Sequence, residues 1–141
     1  MTDILVSKDD GQVVTLTLND APANCLTMEM MSAIKMEIDR VSKSKDHKLV
    51  IFESSNEKIF CSGHSFNEVQ EMIKNNDKKS QELLFAECSE MLMKIRTSPK
   101  IFVAKVRGIA TAGGLGLVSI MDCVFSSKSA RFALGGINFN F

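Results

Sequence analysis

Residues 112–122, AGGLGLVSIMD, place Gly113, Gly114 and Gly116 within four positions, soon after the apolar run IFVAKV. Glycines packed so closely point to use of the backbone itself. A strand, a glycine-rich turn and a helix start together aim backbone N–H groups at one spot, because the first N–H groups of a helix have no internal partner. Glycine lets a ligand come close and permits positive φ. Gly113 and its neighbours are thus suited to hold an anion or a developing oxyanion. The alternative is that they only let this helix pack tightly, and the local sequence does not choose between the two. Nucleotide-loop readings fail in detail. No Lys-Ser/Thr follows the glycines, and GGLG is not GxGxxG after a first strand with an acid downstream.

A second segment has the same architecture. Residues 58–68, KIFCSGHSFNE, run from an apolar stretch through Ser62-Gly63-His64 to a capped helix start, with Ser65 and Glu68 at capping-box spacing. Two strand-to-helix turns that each offer backbone donors can converge on one carbonyl oxygen. The four cysteines, Cys25, Cys61, Cys88 and Cys123, show no metal-ligand spacing and no paired base, and read as reduced thiols. His47, among Lys45, Asp46 and Lys48, reads as a solvated loop residue. The His64 imidazole is expected to face solvent or make a hydrogen bond rather than do chemistry.

The elements that must position these turns follow from periodicity. Strands are expected at 4–7 and 12–18, where Val14, Leu16 and Leu18 alternate with threonines, with Asp10-Gly11 as a hairpin signal. Residues 19–24 form a loop around Pro22. A helix is expected over 27–43, with Thr27 as its cap and Met30, Ile34, Ile38 and Val41 along one face. Further strands are expected at 48–53, 101–106, 123–126 and 130–134, with a short apolar segment at 59–63. Helices are expected from about Phe66, over 80–96 with Leu84, Cys88, Met91 and Ile95 on one face, and over 115–121; residues 75–79 read as a polar break. A hairpin followed by alternating helices and apolar strands predicts an α/β fold.

Composition bounds the function classes. The 141 residues suit a single domain spanning 1–141, and 45% hydrophobic residues can fill a core. Lys plus Arg and Asp plus Glu are equal at 17 each, so no bulk charge favours nucleic acid or an anionic membrane. No apolar run reaches the ~20 residues of a spanning helix, and no targeting segment is visible. A cytoplasmic protein without nucleic-acid or membrane partners is the expectation.

Three segments, in this order, carry a family resemblance: LNDAPANCLT at 18–27, IFCSGHSFNEV at 59–69, and VRGIATAGGLGLVSIMDCVFSSKSARFALGGI at 106–137. Together they resemble the crotonase superfamily, the enoyl-CoA hydratase/isomerase group. The resemblance implies a spiral of ββα turns with an acyl-CoA or enoyl-CoA thioester bound across it. Coenzyme A would enter as part of the substrate, with no permanently bound cofactor and no metal. The thioester oxygen would sit between the backbone N–H groups of His64 and Gly113. The rest of the coenzyme would lie along Asn24, Cys25 and Leu26 and along His64, Ser65, Phe66 and Asn67.

The same resemblance marks what is missing. The two glutamates of the family hydratases fall at Gly116 and Gly136, neither of which carries a proton, and Ile137 and Asn138 supply no acid beyond them. Asp122 reads as structural. General acid–base groups each contribute about 10²–10⁴ in rate, so thioester binding with little hydration is expected. The family domain is nearly twice this length. On that reading the spiral is incomplete at the C-terminus, the lid and trimerisation helices are absent, and the family homotrimer is impaired. The apolar residues Ile137, Phe139 and Phe141 would then meet water or a partner. The rival expectation is a non-catalytic interaction or remnant protein that keeps the scaffold without a ligand.

Overall fold

The computed structural model describes residues 3–135. β1 (Leu5–Asp10) and β2 (Val13–Leu18) form an antiparallel hairpin turned at Gly11, whose φ of 62° is open to glycine at no steric cost. α1 (Met28–Lys43) follows, then β3 (Leu49–Ser54), β4 (Ile59–Cys61), α2 (Phe66–Lys74) and α3 (Lys78–Thr97). β5 (Ile101–Val106), β6 (Ile109–Thr111), α4 (Gly113–Ser119), β7 (Cys123–Ser126) and β8 (Arg131–Ala133) complete the order.

The strands sort into two sheets, β1-β2-β3-β5-β7 and β4-β6-β8. After the hairpin, each successive pair of strands gives one member to each sheet, with helices between pairs. This is a winding of ββα units, and every pairing beyond the hairpin is parallel. Leu16, Phe52, Ala104 and Val124 stand in register across the first sheet. Its inner face, with Val14, Leu16, Leu18, Val50, Phe52, Phe102 and Ala104, is closed to water.

Helix faces behave as their periodicity predicts. Met30, Ile34, Ile38 and Val41 of α1 and Leu84, Cys88, Met91 and Ile95 of α3 are buried. Thr27 Oγ1 accepts from the Met30 amide at 3.1 Å and starts α1. The two helices are tied by Lys35 to Glu87, Lys35 to Glu90 at 2.9 Å and Lys94 to Asp39 at 2.8 Å. These pairs lie near the surface, so their geometry says more about alignment than about stability.

Several boundaries differ from the sequence expectation. α3 begins at Lys78, inside the expected polar break, because Asp77 Oδ1 accepts from the Ser80 amide at 3.0 Å and caps it. The first strand runs Leu5–Asp10 rather than 4–7, because its partner β2 continues the ladder to Val13. α4 begins at Gly113, not near residue 115, and β6 was not anticipated. His47 is not a solvated loop residue. Its side chain is only 12% exposed and Nε2 lies 3.3 Å from Asp9 Oδ2, because the turn before β3 folds against the hairpin.

Among the described residues, no helix is long and apolar enough to cross a membrane. β7 and β8 are edge strands with exposed Phe125, Phe132 and nearby Leu134. Gly136, Ile137, Asn138, Phe139 and Phe141, which the sequence reading singled out, lie outside the described residues.

Candidate functional site: two facing strand-to-helix turns

β4 and β6 are parallel neighbours, with Ile59 opposite Ile109 and Cys61 opposite Ala110. Each strand runs within a few residues into a helix, α2 after one and α4 after the other. Their turns therefore leave the sheet at the same end, side by side. A Cβ built on Gly63 would lie 2.7 Å from the Gly113 nitrogen and 3.1 Å from the Thr111 oxygen. Gly63 also holds φ at 84°, so glycine is required there twice over. Gly114 is equally constrained, since its Cβ would meet the Cys61 carbonyl oxygen at 2.2 Å. The sharp bend between β6 and α4 is made by Ala112, at φ 50° and ψ −125°, and not by a glycine.

A third segment packs against the first turn. The Leu26 amide donates to the Gly63 oxygen at 2.8 Å, and the Ser62 amide donates to the Ala23 oxygen at 3.1 Å. Cys25 Sγ and Ser62 Oγ are 3.3 Å apart. This segment is pinned from beneath by Asn24, which is 1% exposed. Asn24 Nδ2 donates to Ser54 Oγ at 2.8 Å and to the Phe60 oxygen at 3.1 Å, while its Oδ1 accepts from the Asp20 amide at 2.7 Å. Its φ of 48° is one that asparagine tolerates better than most residues.

The structure therefore brings the sequence-predicted residues together, in different roles. His64 and Gly113 are half-buried and adjacent; a Cβ on Gly113 would lie 3.7 Å from His64 Cδ2. Among the described residues, neither the His64 amide nor the Gly113 amide donates a hydrogen bond. Leu26 is buried, with Cδ1 3.4 Å from the same Gly113 position, and forms the floor between them. Cys25 is half-buried, whereas Asn24 has almost no surface and holds the loop. Ser65 Oγ accepts from the Glu68 amide at 3.4 Å and caps α2, whose first turn carries the exposed Phe66 and Asn67.

His64 is hydrogen-bonded through Nδ1 to the Leu26 oxygen at 3.1 Å. Phe85 of α3 packs against its ring, centroids 5.5 Å apart at 85°. Sequence reasoning missed Phe85, which stands beside the buried stripe of α3 and is 48% exposed. Its only signal was a large aromatic residue next to an otherwise regular apolar face.

Proton-carrying groups are scarce around this spot. Among the described residues, a Cβ on Gly116 would meet nothing within 4 Å. Asp122 is structural, as expected: Oδ2 accepts from the Phe102 amide at 2.8 Å and its own amide donates to the Phe102 oxygen at 2.9 Å. Burial pushes the Cys61 thiol up to about 12, which keeps it protonated and inert. Among the described residues, no group of three or more His, Cys, Asp or Glu is placed to hold a metal ion. What remains is a pair of adjacent amides without acceptors among the described residues, suited to holding a carbonyl oxygen.

Comparison with known proteins agrees with this architecture. The model of the enoyl-CoA hydratase/isomerase family matches residues 8–141. The rat mitochondrial enoyl-CoA hydratase domain-containing protein 3 is 31% identical over 131 residues, 93% of this chain and 42% of its own length. An enoyl-CoA hydratase structure from Mycobacterium smegmatis superposes with a TM-score of 0.91 at 34% identity, covering 99% of this chain and 54% of that one. The human enoyl coenzyme A hydratase domain-containing protein 3 gives 0.90 at 26% identity, with coverages of 99% and 54%. The chain thus spans about half the length of the relatives it matches. With its ββα winding and its facing glycine turns, the chain belongs to the enoyl-CoA hydratase/isomerase family.

Proposed function

We propose that the chain binds acyl-CoA thioesters, with the thioester oxygen held by the backbone amides of His64 and Gly113. The observation that carries this reading is the approach of the two turns at Gly63 and Gly113, beside two amides that lack acceptors. Such donors strengthen their hold as the carbonyl oxygen gains charge, so they favour an enolate over the bound thioester. Each is worth about 10²–10³ in rate in comparable sites. The first turn of α2 and the half-buried Cys25 offer a path for the rest of the coenzyme.

Hydration is the weak part of the repertoire. It needs a group that activates water and one that delivers a proton, and on the family resemblance the positions of the two glutamates fall at Gly116 and Gly136. Titrating crotonyl-CoA by calorimetry, beside a hydration assay, tests both halves. Binding with slow or undetectable hydration is expected. Absence of binding removes the thioester reading.

The exposed apolar edge strands β7 and β8 favour a second reading, an interaction protein that keeps the scaffold without a ligand. A defined oligomer in light scattering, together with no rise in melting temperature on adding a CoA thioester, distinguishes it.

A further inference from the structure

The His64 ring is held in one tautomer. Its Nδ1 lies 3.1 Å from the Leu26 carbonyl oxygen, and a carbonyl can only accept, so Nδ1 carries the proton. In the neutral ring Nε2 then carries the lone pair. Cδ2, the ring carbon bonded to Nε2, is the atom that would lie 3.7 Å from a Gly113 Cβ. The Cδ2 edge of the imidazole therefore faces Gly113. Among the described residues, Nε2 has no hydrogen-bond partner and no ion pair. It is also not among the buried side-chain atoms that lack a partner, which are His47 Nδ1 and Glu68 Oε2, so it keeps some exposure. Phe85 fixes the ring from the α3 side.

We propose that the His64 imidazole is the proton-transfer group of this site, a role the sequence reading sets below a solvent-facing or hydrogen-bonded one. The inference rests on the thioester reading above. With the thioester oxygen on the His64 and Gly113 amides, Nε2 takes a proton from the carbon next to the carbonyl. The C–H bond breaks and its electron pair forms a C=C bond. The carbonyl π pair moves onto oxygen as an enolate, held by the two amides. The imidazolium that forms is stabilised by its Nδ1–H bond to the Leu26 oxygen. Return of a proton to the same carbon closes the cycle, so the reaction needs no co-reactant and, in heavy water, exchanges hydrogen for deuterium. The substrate class is an acyl-CoA thioester with a hydrogen on that carbon.

The test is loss of the α-hydrogen NMR signal of butyryl-CoA in heavy water, with affinity measured in parallel by calorimetry. His64→Asn keeps the backbone amide and places a side-chain N–H near Nδ1 for the Leu26 oxygen, but has no Nε2. His64→Gln is the second variant, and a thermal melt identifies which of them keeps the fold. Wild-type exchange above the buffer rate is expected, with a fall of at least about 10²-fold in either folded variant at unchanged affinity. Binding without exchange, or exchange that survives in a folded variant, overturns the role of the imidazole alone. No thioester binding by the wild type overturns the thioester reading, and this inference with it.

Discussion

Gly63 and Gly113 approach so closely that a Cβ on the first would lie 2.7 Å from the amide nitrogen of the second. Both the fold and the site depend on that contact, because it sets the two amides side by side. Gly63→Ala is expected to cost stability twice, through its φ of 84° and through displacement of the α4 turn. The left-handed conformation alone costs a non-glycine residue about 1–2 kcal/mol. Gly11→Ala provides the comparison, since φ is 62° there and the added Cβ meets nothing within 4 Å. Urea unfolding should place Gly63→Ala well below Gly11→Ala. Equal losses would show that the contact between the turns is slack.

Asn24 supports the same site from beneath. Asn24→Ala removes the acceptor for the Asp20 amide and the donor to Ser54 Oγ and the Phe60 oxygen. Each buried group left without a partner costs about 1–3 kcal/mol, and the alanine must also take a φ of 48°. A loss of about 2–4 kcal/mol in chemical denaturation is expected. A loss of under about 1 kcal/mol would mean that the loop relaxes or water replaces the amide.

Much of this arrangement was legible in the residues, and the exceptions share a cause. The Ser65 cap, the alternation in β2 and the stripes of α1 and α3 are local patterns, and all hold. The facing of the two turns was read from their shared strand-turn-helix pattern and from family resemblance. The sequence predicts a turn at the glycines of 113–116, but the turn falls on Ala112. They belong to the helix, and Gly114 is glycine because the Cys61 carbonyl leaves no room for a Cβ there, a contact made across the fold. β6 escaped notice because three residues are too few for an alternating pattern. The His47–Asp9 contact and the Phe85–His64 contact join distant elements, so no local spacing announces them.

The acid and alkaline limits of stability follow from groups whose titration differs between folded and unfolded chains. The Arg40 hydrogen bond holds Asp9 below its ordinary range, and the Lys105 hydrogen bond does the same for Glu53. A depressed carboxylate stabilises the fold above its unfolded value and loses that contribution as pH falls through its folded value. Stability should therefore decline below about pH 4. Cys61 acts in the opposite direction: burial raises it from 9.0 to about 12, so the unfolded chain ionises first as pH rises. Its contribution is complete below pH 9.0 and lost towards about pH 12. Urea midpoints against pH for the wild type and Cys61→Ala check this. The alkaline slope between these limits should be shallower in the variant.

Gly116 offers the most direct test of why hydration should be slow. It sits in the middle of α4, its amide donates to the Ala112 oxygen at 3.1 Å, and among the described residues nothing lies within 4 Å of a Cβ placed there. A Cβ there meets no described atom within 4 Å, and replacing the helical glycine removes an entropic cost of about 0.5–1 kcal/mol. Gly116→Ala is expected to raise the melting temperature by roughly 2–5 °C. Gly116→Glu adds a carboxylate one turn from the Gly113 amide, at the position where the proposed reading sets the family's first glutamate. If the missing acid limits the reaction, this variant should hydrate crotonyl-CoA faster by up to about 10²–10⁴, while Gly116→Gln, of the same size, should not. The comparison separates proton transfer from packing, because both variants fill the same space. Equal rates for Glu and Gln would place the block elsewhere, in substrate alignment or in the second missing carboxylate.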